Sequence, residues 1–236
     1  INGELIVREG NLKRGPNPKD TYCDILRDVK GLVSGRNTIA LLVWYFGKDG
    51  FSHRNSPTAG VSVDLTIGKQ RYISDDSWKV SIHPSFYIPN GINPNYRLPE
   101  SNIGFNAQKE VAFWDKDFDD ALWQDAKVIK KELSGWNQLV ERPIPMWKDY
   151  GLKDYVKVER KSDTLFVAYL PYNAQVNPYI KLKAKVGEII DIRTDNYCGG
   201  GTPNVYAEYI TKNGIQEFEA WGWMNGHQVL YLSLIH

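Results

Sequence analysis

Ile180-Lys-Leu-Lys-Ala-Lys-Val186 decides the fold class. Apolar and basic residues alternate there without a fault. In an extended chain this puts the lysines on one face and the aliphatic side chains on the other. A helix would scatter the same lysines around its axis, so the segment reads as a half-buried β-strand. The same period of two recurs downstream in Ile190-Asp-Ile-Arg-Thr194 and Val205-Tyr-Ala-Glu-Tyr209, and far upstream in Val61-Ser-Val-Asp-Leu-Thr-Ile67. Thr38-Ile-Ala-Leu-Leu-Val-Trp-Tyr-Phe46 is different. It is apolar at nearly every position and bounded by Asn37 and Gly47, which predicts a central strand covered on both faces.

Turn signals punctuate these runs. Lys212-Asn-Gly214 predicts a hairpin. Lys185-Val-Gly-Glu188 predicts a second tight turn, and Asp75-Asp-Ser-Trp78 a turn leading into a strand at Lys79. Pro16-Asn-Pro18 and Pro89-Asn-Gly-Ile-Asn-Pro94 read as longer loops. Helical periodicity is scarce. Asp119 to Ala126 predicts one helical turn with acids near its start, and Lys127 to Leu133 fits either a continued helix or a strand. Gly135, Pro143 and Pro145 interrupt any regular element between Ser134 and Tyr150. The expectation is an all-β chain of two β-sandwich, jelly-roll-like domains with few short helices. The domains are placed at residues 1–133 and 134–236.

Composition narrows the partners. The net charge of +1 leaves no basic surplus to attract nucleic acid or an anionic membrane. No apolar run is as long as a membrane span, so no membrane insertion is expected. Cys23 and Cys198 are the only two cysteines, too few for a disulfide framework or a metal motif, and two free thiols are expected. Eight Trp and 14 Tyr suit cross-strand packing and also stacking on the apolar face of a sugar ring.

Motifs for nucleophilic or nucleotide chemistry are missing. There is no Gly-x-Ser-x-Gly elbow and no P-loop, and Gly199-Gly-Gly201 runs into Thr202-Pro203 rather than a helix. His53, His83, His227 and His236 have no second His or Cys at ligand spacing. The adjacent acids Asp75-Asp76 and Asp119-Asp120 would point to opposite faces of a strand, so they do not converge on one bond as a glycosidase pair must. No catalytic residue and no cofactor are assigned.

The segment Trp44 to Asn55 is the richest candidate. It leaves the apolar run, turns at Gly47 and Gly50, and gathers Trp44, Tyr45, Asp49, His53 and Arg54. Aromatic planes beside a carboxylate, an imidazole and a guanidinium suit carbohydrate binding. The alternative is a loop packing its own aromatics over the end of a sheet. Trp223 and His227, flanked by Gly222 and Gly226, form a second such group. Asp195-Asn196 at a strand end fits a calcium ion, a pair of sugar hydroxyls, or a simple turn.

These stretches in this order resemble the N-terminal region of bacterial α-L-rhamnosidases of glycoside hydrolase family 78. The likeness extends over nearly the whole chain up to Tyr231. Its marks are Gly35-Arg-Asn-Thr-Ile39, Trp44-Tyr-Phe-Gly47, Ser74-Asp-Asp-Ser-Trp78, and Phe118-Asp-Asp120 with Trp123. Gly187-Glu188, Ala207-Glu-Tyr209 and Trp223-Met-Asn-Gly-His227 follow in the second half. The resemblance implies two sandwiches preceding an (α/α)6 barrel, which in that family carries the acidic pair and inverts the anomeric carbon. It implies rhamnose-containing oligo- or polysaccharide and the barrel of the same natural chain as partners, and a periplasmic or cell-surface location. It leaves calcium open, because some relatives hold a calcium-dependent rhamnose-binding sandwich. The chain opens on Ile1, and Leu232-Ser-Leu-Ile-His236 resembles a translated sequencing adapter. The expectation is a fragment whose last five residues are not native and whose natural chain continues.

Overall fold

The computed structural model describes residues 1–8, 20–45, 47, 56–89, 102–130, 135–136, 138–146, 148–195, 198–199, 202–203, 206–221 and 224–234. Among them the chain is all-β. The strands in order are β1 (Asp20–Cys23), β2 (Asp64–Ile67), β3 (Gln70–Ile73), β4 (Lys79–Val80), β5 (Phe86–Tyr87), β6 (Ile103–Asn106), β7 (Gln124–Asp125) and β8 (Gln138–Glu141). They continue as β9 (Lys157–Arg160), β10 (Leu165–Val176), β11 (Tyr179–Ala184), β12 (Ile189–Thr194), β13 (Cys198–Gly199), β14 (Thr202–Pro203), β15 (Tyr206–Ile210), β16 (Gly214–Glu219) and β17 (Met224–Ser233). A short 3-10 turn, Ala107–Lys109, is capped by the Asn106 side chain, which accepts from the Gln108 amide.

The chain separates into two units. Unit 1 comprises Ile1–Ile82 and Ala112–Asp149, and unit 2 comprises His83–Val111 and Tyr150–His236. Unit 2 thus takes in an excursion from the first half of the chain, which a single linear boundary does not contain.

Unit 2 is built on a seven-stranded sheet of order β5-β6-β15-β12-β17-β10-β9. Neighbours are antiparallel except β6 and β15, which run parallel with Tyr209 opposite Phe105. The two-stranded β11–β16 sheet packs its apolar side chains Ile180, Leu182 and Phe218 on the same core as Ile190, Ile192, Tyr209 and Val229 of the large sheet. The lysine face of β11 stays outside, with Lys181 paired to Glu217 across the ladder at 2.8 Å. Aromatic rings bind the layers together. Tyr209 stacks on Phe218 at 4.3 Å, and Phe105 meets both Phe218 and Phe86. Fully burying a side chain such as Ile192 contributes roughly 1.5–3 kcal/mol.

The expected hairpin at Lys212-Asn-Gly214 is corrected. The turn forms, with Gly214 at φ 97°, but β15 belongs to the large sheet and β16 to the small one. The turn is a crossover between layers, so no β15–β16 ladder closes around it. Gln216 holds it instead. Its carboxamide donates to the carbonyls of Lys212 and Gly214 and accepts from the Lys212 amide and the Tyr209 hydroxyl. The turn at Val186–Gly187 also crosses between layers, and buried Thr211 ties it down by donating to the Lys185 carbonyl and accepting from the Glu188 amide.

Among the described residues unit 1 holds two-stranded pairings only: β1 with β8 in parallel, β2 with β3, and β4 with β7. Several sequence marks become turns whose side chains replace backbone partners. Gly35 adopts φ 91°, where a Cβ would be strained, and Asn37 accepts from the Val33 amide while donating to the carbonyls of Val33 and Gly35. Asp75 accepts from both the amide and the hydroxyl of Ser77, which also holds its carboxyl below the usual carboxylate range. Asp119 accepts from the Ala121 amide, and Phe118 packs edge-on against Trp123 at 5.3 Å.

Two further expectations are overturned in unit 1. The helical turn at Asp119 to Ala126 is a plain turn leading into β7, closed by the Trp123 amide on the Asp120 carbonyl three residues back. The covered central strand at Thr38 to Phe46 is not one. Residues 39–45 lie outside any strand, and Leu41, Leu42, Val43, Trp44 and Tyr45 are exposed. No sheet in unit 1 has more than two strands among the described residues, so its described part offers no interior place for a central strand. Phe46 lies outside the described residues.

Candidate functional site

The two aromatic candidates that can be placed in unit 1 are open to solvent. Trp44 is 52% exposed and Tyr45 39% exposed. The Tyr45 hydroxyl donates to the Ser56 carbonyl at 2.9 Å, and the ring lies beside Gly47, which has a positive φ of 80°. Such a ring is pinned at its tip and leaves carbon surface for contact. Asp49, His53 and Arg54 lie outside the described residues, as do Trp223 and Asn196.

His227 is in unit 2, on β17, with an exposed side chain. Its amide and that of Gln228 both donate to Asp195 Oδ1, at 2.7 and 3.0 Å. The Asp195 amide returns a bond to the Gln228 carbonyl. Asp195 therefore splices the end of β12 to β17. That employs one carboxylate oxygen in structure.

A polar group that sequence reasoning missed lies on the second face of the seven-stranded sheet. Alternation along β12 and β15 sends Ile190, Ile192, Ala207 and Tyr209 into the core, and Asp191, Arg193, Tyr206 and Glu208 to the opposite face. The register sets Asp191 opposite Glu208 and Arg193 opposite Tyr206. Two like charges facing each other across a ladder repel, and each is offset by its own donor. Arg193 grips Asp191 through Nε and Nη2, both at 2.6 Å. Tyr87 donates to Glu208 at 2.5 Å.

This face is not solvated as simple alternation suggests. Asp191 is 3% exposed and Tyr206 1%. Burial, with the nearby carboxylates of Glu208 and Asp191, pushes the Tyr206 phenol up to about 12. Burial also raises the Tyr87 phenol, helped by its bond to Glu208. The bond to Asp191 raises the Arg193 guanidinium further, and that guanidinium lies 5.1 Å from the centre of the Tyr206 ring. Gly104, paired with Tyr87, leaves room for that phenol: a Cβ there would sit 2.3 Å from Tyr87 Cζ. The chemistry available is that of two mutually bonded pairs, Asp191 with Arg193 and Glu208 with Tyr87, beside the buried phenol of Tyr206. The signal in the sequence was the acid–base pair Asp191/Arg193 at a spacing of two, which places both on one face of a strand.

Among the described residues no three His, Cys, Asp or Glu side chains converge as a metal site.

No protein-family model matches the chain, and no curated protein matches it. Solved structures do. An α-L-rhamnosidase from Dictyoglumus thermophilum is similar at a TM-score of 0.52 and 21% identity, over 69% of this chain and 18% of that one. A Streptomyces avermitilis α-L-rhamnosidase complexed with L-rhamnose is similar at a TM-score of 0.53 and 17% identity, over 69% of this chain and 16% of that one. At these identities the likeness shows a fold shared with part of α-L-rhamnosidase chains. The chain spans less than a fifth of the length of either.

Proposed function

We propose that this chain is a non-catalytic β-sandwich part of a larger glycoside hydrolase of the α-L-rhamnosidase type, family 78, supporting a catalytic (α/α)6 barrel borne by the natural protein. The observation that carries this reading is the fold shared with two α-L-rhamnosidases over 69% of this chain but under a fifth of theirs. A supporting role also gives the exposed apolar side chains of unit 1 a destination, since apolar surface left in water forgoes about 25 cal/mol per Å2. The segment from Trp44 to Arg54, and the group of Trp223 and His227, would touch rhamnose-containing glycan. The parent would work in the periplasm or at the cell surface.

Incubating this chain with an aryl α-L-rhamnoside tests the non-catalytic role. No turnover is expected, and turnover that tracks the purified chain would overturn it. Titrating a separately expressed barrel of the natural protein tests the support, with a rise in barrel melting temperature expected and no change counting against it.

A second reading is a stand-alone carbohydrate-binding module, favoured by the half-exposed indole of Trp44 beside the pinned ring of Tyr45. Quenching of Trp fluorescence by rhamnose oligosaccharides, lost in Trp44→Ala, without any effect of a barrel, would favour it.

A further inference from the structure

His83 opens the excursion that unit 2 takes from the first half of the chain, and Val111 closes it. The His83 ring bonds to both ends of that segment. Its Nδ1 accepts from the Ser85 amide at 3.2 Å. The ring also hydrogen-bonds the backbone of Val111 in a way that favours the protonated ring, so the Val111 carbonyl accepts. With Nδ1 used as an acceptor, the donor is Nε2–H. The neutral Nε2–H tautomer alone serves both partners.

Ser85 extends this tie. It is fully buried, and its carbonyl accepts from the Asn106 amide at 2.8 Å, joining the approach to β5 to the end of β6. Phe86 meets the imidazole edge-on at 4.9 Å, and Phe105 lies 6.2 Å away. Phe105 in turn packs on Tyr209 and Phe218 in the core.

We propose that His83 is a pH-sensitive clasp on the segment His83–Val111: neutral, it holds β5 and β6 on the edge of the seven-stranded sheet, and protonated, it lets them go. This goes beyond the proposed function and does not depend on it. Protonation puts a hydrogen on Nδ1, facing the hydrogen already carried by the Ser85 amide. A buried amide then loses its acceptor, and an unmade bond to a buried donor destabilises the segment that holds it.

Charge around the ring sets the direction. Burial among Ser85, Phe86 and Phe105 lowers the imidazole below its ordinary value of 6.5. The Val111 carbonyl and the Glu110 carboxylate pull the other way. Glu110 is itself engaged by Lys212 at 2.7 Å, which offsets its pull. Tyr209, a phenol pushed up to about 12 by burial and by this carboxylate, also lies near it. Burial prevails. A group whose folded value lies below its unfolded one stabilises in its deprotonated form. The contribution is complete above the free-histidine value and is lost as pH falls from there through the folded value.

The test follows the whole chain by NMR between pH 7.5 and 5. Nitrogen shifts should report the Nε2–H tautomer at pH 7.5 and a titration midpoint below that of free histidine. Amide protection of Ile103 to Asn106, taken relative to β12 and β17, should fall roughly three- to tenfold across the range. His83→Asn and His83→Gln stay neutral at every pH, and the relative protection in whichever folds should stay flat. An Nδ1–H tautomer, a midpoint at or above that of free histidine, protection lost equally in β12 and β6, or the same pH dependence in both variants would each overturn the clasp.

Discussion

In unit 2, Ile192, Tyr209, Met224 and Val229 have lost almost all contact with water, whereas in unit 1 Leu41, Leu42, Val43 and Ile73 remain exposed. All the buried apolar side chains among the described residues belong to unit 2. In unit 1 the better-buried side chains include polar ones, such as Thr21 and the ion pair of Arg142 with Asp24. Both units draw on strand-like sequence. They differ in pairing. Strands β12, β15 and β17 each have a neighbour on both sides and a second layer above, while among the described residues every strand of unit 1 has a single partner. Two-stranded ribbons are marginal in water, and a third strand or a packed layer is what makes a sheet stand alone. Hydrophobic content is therefore not what separates a closed core from an open one.

Substitutions can break or sharpen that contrast. Ile192→Ala should destabilise by about 2–5 kcal/mol in urea unfolding, because the cavity opens in a sealed core. Replacing Arg193 by Met should cost about 3 kcal/mol, since it strands the buried Asp191 carboxylate. Adding Asp191→Leu to that variant should restore most of the loss, because no charge is then left unpaired. Gln216→Leu should cost roughly 1–3 kcal/mol by orphaning the crossover backbone and the Tyr209 hydroxyl. Leu42→Ala, in unit 1, should stay within about 0.5 kcal/mol. A large loss there would show that unit 1 hides a core of its own.

The strands of unit 2 were legible because alternation is local. Lys181 and Lys183 point outward and Ile180 and Leu182 inward, as the period of two requires. The layer each strand joins was not legible. An Asn-Gly turn signals a reversal of direction, and Lys212-Asn-Gly214 makes one, but only the reach of Gln216 back to Lys212 and Gly214 shows that it changes sheet. The excursion at His83–Val111 was hidden for another reason. Parallel pairing of Ile103 with Ala207 joins residues about a hundred positions apart, and no window of sequence spans that.

The candidate site was only partly legible. Trp44 and Tyr45 are exposed, while Asp191 and Glu208 share the second face of two strands, where Asp191 is buried. Alternation separates two faces but does not say which is wet. The apolar run from Ile39 to Tyr45 shows the converse. Its composition demanded cover, and the described part of unit 1 supplies none that leaves those side chains dry.

Hydrogen exchange on the isolated chain tests the contrast most directly. Amides of β12, β15 and the part of β17 paired to both neighbours should exchange only by global unfolding, while those of residues 39–45, β2 and β3 exchange through local opening at far lower free energy. Equal protection in the two units would contradict the account, because it would mean that unit 1 closes as firm a core as unit 2.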